Sequence, residues 1–239
     1  MKVKLISFTK NPLEVIYWAF MNMHHVVPDS IENINLSSDE KESFFSMLIK
    51  QPHQTVFEFV NLVWLIEGAS RAFQQQLTRT RTAAYSIQSL RIVDVGDFAS
   101  EKRFAISEEL NNNAAALKIY RETMEDLQSK YRELIRLGCK TEDARGLLPL
   151  NIHSTITMAI NLRSLYHMLE LRFCENAQGE FREVARLMRA EIREKISPIL
   201  SEPMKPLCFR LGKCISPVPC GKYDFPVAID TDISRWVKR

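Results

Sequence analysis

The stretch Gln76-Leu-Thr-Arg79-Thr80-Arg81-Thr-Ala-Ala-Tyr-Ser-Ile87-Gln88-Ser89-Leu90-Arg91 sets three arginines among hydroxyls and amides, and no acidic residue lies between Gln74 and Val93. A guanidinium stays charged at any relevant pH, and its planar fork matches the oxygens of a phosphate. Such a cluster selects an anion unless the side chains are simply solvated, the commoner fate of surface arginines. Reach limits how many can act together: at ~3.3 Å per residue, an extended Thr82–Arg91 segment puts Arg81 and Arg91 about 33 Å apart. Either the segment folds back or the two arginines serve different sites, for instance across a subunit interface.

Other chemistries are weakly represented. Five cysteines (Cys139, Cys174, Cys208, Cys214, Cys220) are odd in number and lack C-x-x-C spacing, so reduced thiols are expected, with neither a disulfide framework nor a metal site. Seven glycines in 239 residues form no G-x-G-x-x-G or G-x-x-x-x-G-K cradle, which leaves phosphate binding to side chains and helix ends. Thirty-two Lys and Arg against 29 Asp and Glu leave +3, too little for a chain that grips a nucleic-acid backbone. The start, MKVKLISF, reads as a strand and not as a signal, and no apolar run approaches the ~18–20 residues of a membrane span. The expectation is a cytoplasmic protein with no membrane or nucleic-acid partner.

These residues need elements to place them. Residues 1–200 are expected to form one domain, with 201–239, rich in proline, an irregular tail. After the first strand, Pro12 opens a helix with Leu13, Ile16, Tyr17 and Phe20 at helical spacing, and Ser37 or Ser38 begins a second through Lys50, stopped by Pro52. Thr55–Ile66 reads as a strand ended by Glu67-Gly68, Ala69–Leu77 as a helix, and Leu90–Val95 as a strand. From Ser107 to Leu137, Leu110, Leu117, Tyr120, Met124, Leu127, Tyr131 and Leu134 recur by sevens, threes and fours, predicting one long amphipathic helix ended by Gly138. Two more helices are expected at Thr155–Arg172 and Ala177–Ile196, the second closed by Pro198. On the first, Asn161 and Arg172 are three turns apart on one face, with Arg163 and His167 on a neighbouring one.

Arg79-x-Arg81, seven residues, then Ser89-x-Arg91 resembles the R-H-R-x7-S-x-R signature of flavin-dependent thymidylate synthases, with Gln76 three residues before it as in that family. His53-x-Thr55-x-x-Glu58, Ile66-Glu-Gly-Ala-Ser-Arg71, Glu142-x-x-Arg145-x-x-x-Pro149 and Asn161-Leu162-Arg163-Ser164-x-x-His167-x-x-x-Leu-Arg172 extend the likeness over about residues 1–196. The resemblance implies a mixed α/β fold with a central sheet and long helices, and a homotetramer whose active sites lie at subunit junctions. It implies FAD as cofactor, with NADPH and methylenetetrahydrofolate as cosubstrates and dUMP converted to dTMP. Carried over by position, Gln76, Arg79, Gln88, Ser89, Leu90, Arg91, Arg145 and Arg172 hold dUMP, and Arg172 at the uracil edge is the catalytic candidate. His53, Thr55, Glu58, Arg79, Thr80, Arg81, Ile87, Asn161, Leu162, Arg163 and His167 serve the flavin.

The chain departs from the pattern where the family has polar groups. Thr80 stands for the central histidine of R-H-R, Ala84 for a serine, Ile87 for a glutamate, Ile92 for a tyrosine and Phe59 for a histidine. Each lost buried hydrogen bond costs about 1–3 kcal/mol. Two readings stay open beside the dTMP-forming enzyme: a relative acting on another pyrimidine nucleotide or hydroxymethylating C5, and a non-catalytic nucleotide-binding homologue.

Overall fold

The computed structural model describes residues 1–26, 28–51, 53–100 and 102–227. The expected stop at Pro52 and the end of the expected tail, 228–239, lie outside these. The chain forms two compact units, one of residues 1–9 and 61–160, the other of residues 10–60 and 161–239.

The first unit holds a four-stranded sheet in the order β1-β2-β4-β3, from β1 (Lys2–Phe8), β2 (Asn61–Ser70), β3 (Ala83–Ile87) and β4 (His153–Asn161). β1 pairs antiparallel with β2, Val3 facing Ile66 and Leu5 facing Trp64, with a bulge at Ile6; β3 pairs antiparallel with β4, Ala83 facing Ile160 and Ile87 facing Ile156. Alternation drives this: Leu62, Trp64 and Ile66 on β2, and Ile156, Met158 and Ile160 on β4, are buried on one face. α3 (Arg71–Leu77) follows β2, its first turn capped by Ser70 Oγ, which accepts from Phe73 N. A separate cluster packs Tyr131 and Met124 of α5 (Ala114–Arg136) against Phe98, Phe104 and Ile152.

The second unit is helical: α1 (Pro12–Met23), α2 (Ser38–Lys50), α7 (Leu162–Arg172), α8 (Gly179–Lys195), α9 (Pro198–Ser201) and α10 (Leu207–Leu211), with α4 (Glu108–Asn111) and α6 (Thr141–Ala144) completing the count in the first. α2 starts as expected with a capping box, Ser37 Oγ accepting from Glu40 N while the Glu40 carboxylate accepts from Ser37 N at 2.8 Å. Phe57 and Tyr166 meet edge-on at 5.4 Å where α7 packs on the turn Thr55–Phe59. No helix among the described residues is long and apolar enough to cross a membrane.

Several expected elements are corrected. Thr55–Phe59 is a 3₁₀ turn, because Val56 and Phe57 are buried side by side and alternation begins only at Leu62. β2 then runs past Glu67-Gly68, where Gly68 at φ +74 lets the Met1 backbone approach to 3.4 Å of where a Cβ would stand. Leu90–Val95 is not a strand: β3 leaves its ladder after Gln88 N donates to Thr155 O, and Ile92 is 82% exposed. The long helix breaks at Asn112, since Asn113 Oδ1 accepts from Ala116 N and restarts it. Residues 155–161 belong to β4, their β-branched, alternating text outweighing the helical spacing, and α7 begins only at Leu162. Pro198 opens α9 rather than ending α8, with Ser197 Oγ accepting from Ile199 N.

Candidate active site

In the sheet unit, α3 and β3 are joined by a tight turn that displays Arg79, Thr80 and Arg81. Thr80 N donates to Leu77 O at 3.0 Å, and the Tyr85 hydroxyl reaches back from β3 to Leu77 O (2.8 Å) and Thr80 O (2.9 Å). Burial pushes the Tyr85 phenol up, and the bond to Thr80 works against it, so the hydroxyl remains a donor at neutral pH. Arg79 and Arg81 point outward, exposed and without an ion pair among the described residues. Tyr85→Phe removes the clamp and is expected to cost about 1 kcal/mol, read as a melting temperature lower by roughly 3 °C; an unchanged melting curve would show that the hydroxyl does not hold the turn.

The other end of β3 carries a second group. Ser89 Oγ accepts from Arg91 N at 3.1 Å, and Arg91 Nε donates to Glu142 Oε2 at 2.8 Å. Arg145, at the end of α6, donates Nε to Glu142 O at 3.1 Å. Thus Ser89, Arg91 and Arg145 are brought together around Glu142, beside an open groove of about 630 Å³ that Lys140 and Ile92 also line. Gln88 is placed by its backbone, its carbonyl accepting from Arg71 Nη2 at 2.6 Å while Arg71 Nη1 donates to Gln74 Oε1 at 2.7 Å. Burial pushes the Arg71 guanidinium down. The sequence reading missed Arg71 and Tyr85; the clue to Arg71 was its spacing, three residues before Gln74 on one helix. Gln76, Ile87 and Leu90 are half-buried around the same strand.

In the helical unit, Asn161 does not share a helix face with Arg172: it is the N-cap of α7, its Oδ1 accepting from Ser164 N at 2.8 Å. Leu162 is fully buried behind it. Arg163 lines a cavity of about 760 Å³ with Gln54, Tyr166, Glu170, Lys205 and Arg210, whereas His167, one turn on, is exposed. Within that cavity wall Glu170, 7% exposed, takes both arms of Arg210, Nη2 at 2.9 Å from Oε2 and Nε on Oε1. The carboxylate holds the Arg210 guanidinium above its ordinary value. Arg172 ends α7 with its Cζ 4.6 Å from the Phe181 ring centroid, a contact the sequence reading did not foresee. His53, Thr55 and Glu58 lie on the exposed side of the 3₁₀ turn, as does Phe59.

Guanidiniums without an acidic partner suit a phosphate or another anion. Arg79 and Arg81 in one unit and Arg163 in the other make no ion pair among the described residues, and hydroxyl and amide groups stand near each of them in the chain. No group of three or more His, Cys, Asp or Glu among the described residues is set to hold a metal ion.

Comparison with known proteins gives a consistent result. The family model described as Thymidylate synthase complementing protein matches residues 4–198. The chain is 34% identical over 218 residues to the flavin-dependent thymidylate synthase of Pyrococcus abyssi, covering 89% of this chain and 88% of that one. It is 34% identical over 237 residues to that of Nitratidesulfovibrio vulgaris, covering 93% and 95%. Among solved structures, the UMP/dUMP methylase PolB of Streptomyces cacaoi superposes with a TM-score of 0.73 at 20% identity, over 84% of this chain and 93% of that one. Thymidylate Synthase X of Helicobacter pylori, with FAD and dUMP, gives 0.68 at 20% identity, over 86% and 100%.

Proposed function

The chain belongs to the thymidylate synthase complementing protein family, and from that premise we propose that it is a flavin-dependent thymidylate synthase, converting dUMP to dTMP with FAD as cofactor and methylenetetrahydrofolate and NADPH as cosubstrates. The observation that carries this is whole-length similarity: both relatives named above are matched over 88% or more of their own length. The α/β fold with its antiparallel strand pairs is that of the structural neighbours.

Gln76, Arg79, Gln88, Ser89, Leu90, Arg91, Arg145 and Arg172 hold the nucleotide in this reading. His53, Thr55, Glu58, Arg79, Thr80, Arg81, Ile87, Asn161, Leu162, Arg163 and His167 hold FAD, which when bound supplies the redox chemistry that no side chain here offers. Arg91 and Arg145 bind the phosphate by charge-assisted hydrogen bonds. Arg172 cannot release its proton, so it acts on the uracil by stabilising negative charge that develops on the ring. A homotetramer with shared sites is supported by reach: the Arg79–Arg81 turn and Arg91 lie beyond opposite ends of β3 (Ala83–Ile87), a strand of about 16 Å at ~3.3 Å per residue. The enzyme acts in the cytoplasm in this reading.

Thr80 and Ile87, where the family has polar groups, favour one second reading, a changed nucleotide or product. Purified protein should be yellow, bleached by NADPH under argon and restored by air. Tritium release from C5-labelled dUMP should require the folate, and UMP tested in parallel should release less. A colourless protein that takes up no FAD would sink the flavoenzyme reading; faster release from UMP would move the substrate.

A further inference from the structure

On α8, Arg182, Arg186 and Arg189 are spaced by four and three residues, which puts the three guanidinium groups on one face of the helix. Like charges at this spacing repel one another, so the face costs stability until acids or an anion meet it. Acids meet it only in part. Arg186 Nη1 lies 3.4 Å from Glu183 Oε2, and Arg182 spends Nη1 on Glu175 O (2.7 Å) and Ala177 O, which fixes the turn after α7. Arg189 is half-buried and makes no ion pair among the described residues. The segment after α9 supplies more of the wall. Asn176 Nδ2 fastens it by donating to Ser216 Oγ (2.8 Å) and Val218 O (2.6 Å), Lys222 Nζ reaches Glu175 Oε1 at 2.7 Å, and Lys205 Nζ stands 3.3 Å from Glu202 Oε2. Phe209 of α10 and Tyr223 meet edge-on at 4.9 Å, and Phe209 leaves 45% of its surface open. These groups enclose a cavity of about 460 Å³ that Phe173 also lines, all of it within the helical unit. Its bond with Lys222, then the charges of Lys222, Arg182 and Arg186, hold the Glu175 carboxyl below its usual range.

We propose that this cavity binds a phosphate monoester carrying an aromatic ring, the chemistry of a nucleoside 5′-monophosphate. Charge selects the phosphate. The five cations of the lining face three carboxylates, Glu175, Glu183 and Glu202, so two positive charges remain unmatched. A phosphate monoester brings about −1.5 to −2 at neutral pH, which meets that excess, whereas one carboxylate meets half of it. Arg186 and Arg189 present planar forks that match phosphate oxygens. Phe209 and Tyr223 supply aromatic surface on which a base stacks, an interaction that accepts any base because every base has a π face. Solvation accounts for an exposed arginine such as Arg186, but a half-buried guanidinium beside aromatic rings is poorly served by water. A cavity of this size holds one small molecule. None of its lining residues is among those assigned above to dUMP or FAD, so the site does not depend on the catalytic reading.

Isothermal titration of AMP and of CMP into the full-length protein, with and without excess dUMP and FAD, tests this. The expected result is saturable binding of one equivalent per chain, by at least one of the two nucleotides, that survives the excess. Arg189→Gln should weaken it about tenfold or more, the effect of losing a hydrogen bond from a charged donor. Phe209→Ala should weaken it about fivefold or more through lost stacking, and ribose 5-phosphate, which has the phosphate without the ring, should bind weaker than the nucleotide by a similar factor. Added salt should weaken all of these, while Arg91→Ala leaves the binding as it is. The proposal is overturned if neither nucleotide binds in the presence of excess dUMP and FAD, if ribose 5-phosphate binds as tightly as the nucleotide, or if Arg189→Gln or Phe209→Ala changes nothing. Should Arg189→Gln not fold, Lys205→Gln is read in its place by the same criterion. A protein that takes up neither FAD nor dUMP sinks the flavoenzyme reading alone, because AMP and CMP still report on this cavity.

Discussion

Arg172→Ala is expected to lower kcat for dTMP formation by about 10²–10³-fold while the protein stays folded and retains its flavin. The size follows from the task assigned to the side chain, since removing one preorganised donor aimed at developing charge costs about 3–4 kcal/mol of transition-state stabilisation. The structural contribution of the same residue is smaller. Its guanidinium lies 4.6 Å from the Phe181 centroid, and a partly exposed cation–π contact contributes about 0.5–1 kcal/mol, a shift of roughly 1–4 °C in melting temperature. Arg172→Lys keeps the charge and loses the planar fork, so it should recover the melting temperature more fully than the rate. Steady-state kinetics and a melting curve on the same preparations check this. A kcat within threefold of wild type, or a rate that recovers with stability in the lysine variant, would remove Arg172 from the chemistry.

How far the site was legible depends on which physical signal each part carries. The arginine turn was readable because its chemistry is local: charged forks without acids nearby need an anion or water, and the turn is held by Tyr85 eight residues or fewer from its partners. The helices at Pro12 and Ser37 were readable for the same reason, since Pro12 opens the first at its first turn and the capping box of the second closes within three residues. Thr155–Asn161 was misread because its apolar residues fit a helical period and a strand alternation alike, and only pairing with β3 decides between them. Asn161 changed meaning with it, from a point on a helix face to a cap. The pairing of Arg91 with Glu142, 51 residues apart, and the clasp of Arg210 on Glu170, 40 apart, leave no local trace at all. The hold of Asn176 on Ser216, 40 residues away, falls in the same class.

The Arg91–Glu142 pair supports a second experiment in which two substitutions break the same contact and should act in opposite directions. Arg91→Ala removes a charge-assisted phosphate donor worth about 1.5–3 kcal/mol, so the KM for dUMP should rise about 10–150-fold with a smaller effect on kcat. Glu142→Gln instead releases Arg91 from its carboxylate. The pair is solvent-facing, with side chains 68% and 35% exposed, and such pairs contribute at most about 1 kcal/mol. Freed of that competitor, Arg91 should bind the nucleotide up to about fivefold more tightly, and the gain should shrink as salt screens the site. Ser89 still orients the Arg91 backbone in that variant, its Oγ accepting from Arg91 N, so the guanidinium keeps its approach. Were Arg91 present only to tether Glu142 and the α6 region, both substitutions would break the tether and move KM the same way. Isothermal titration of dUMP into the two variants at low and high salt separates these outcomes, because a phosphate ligand and a structural tether differ in sign and not merely in size.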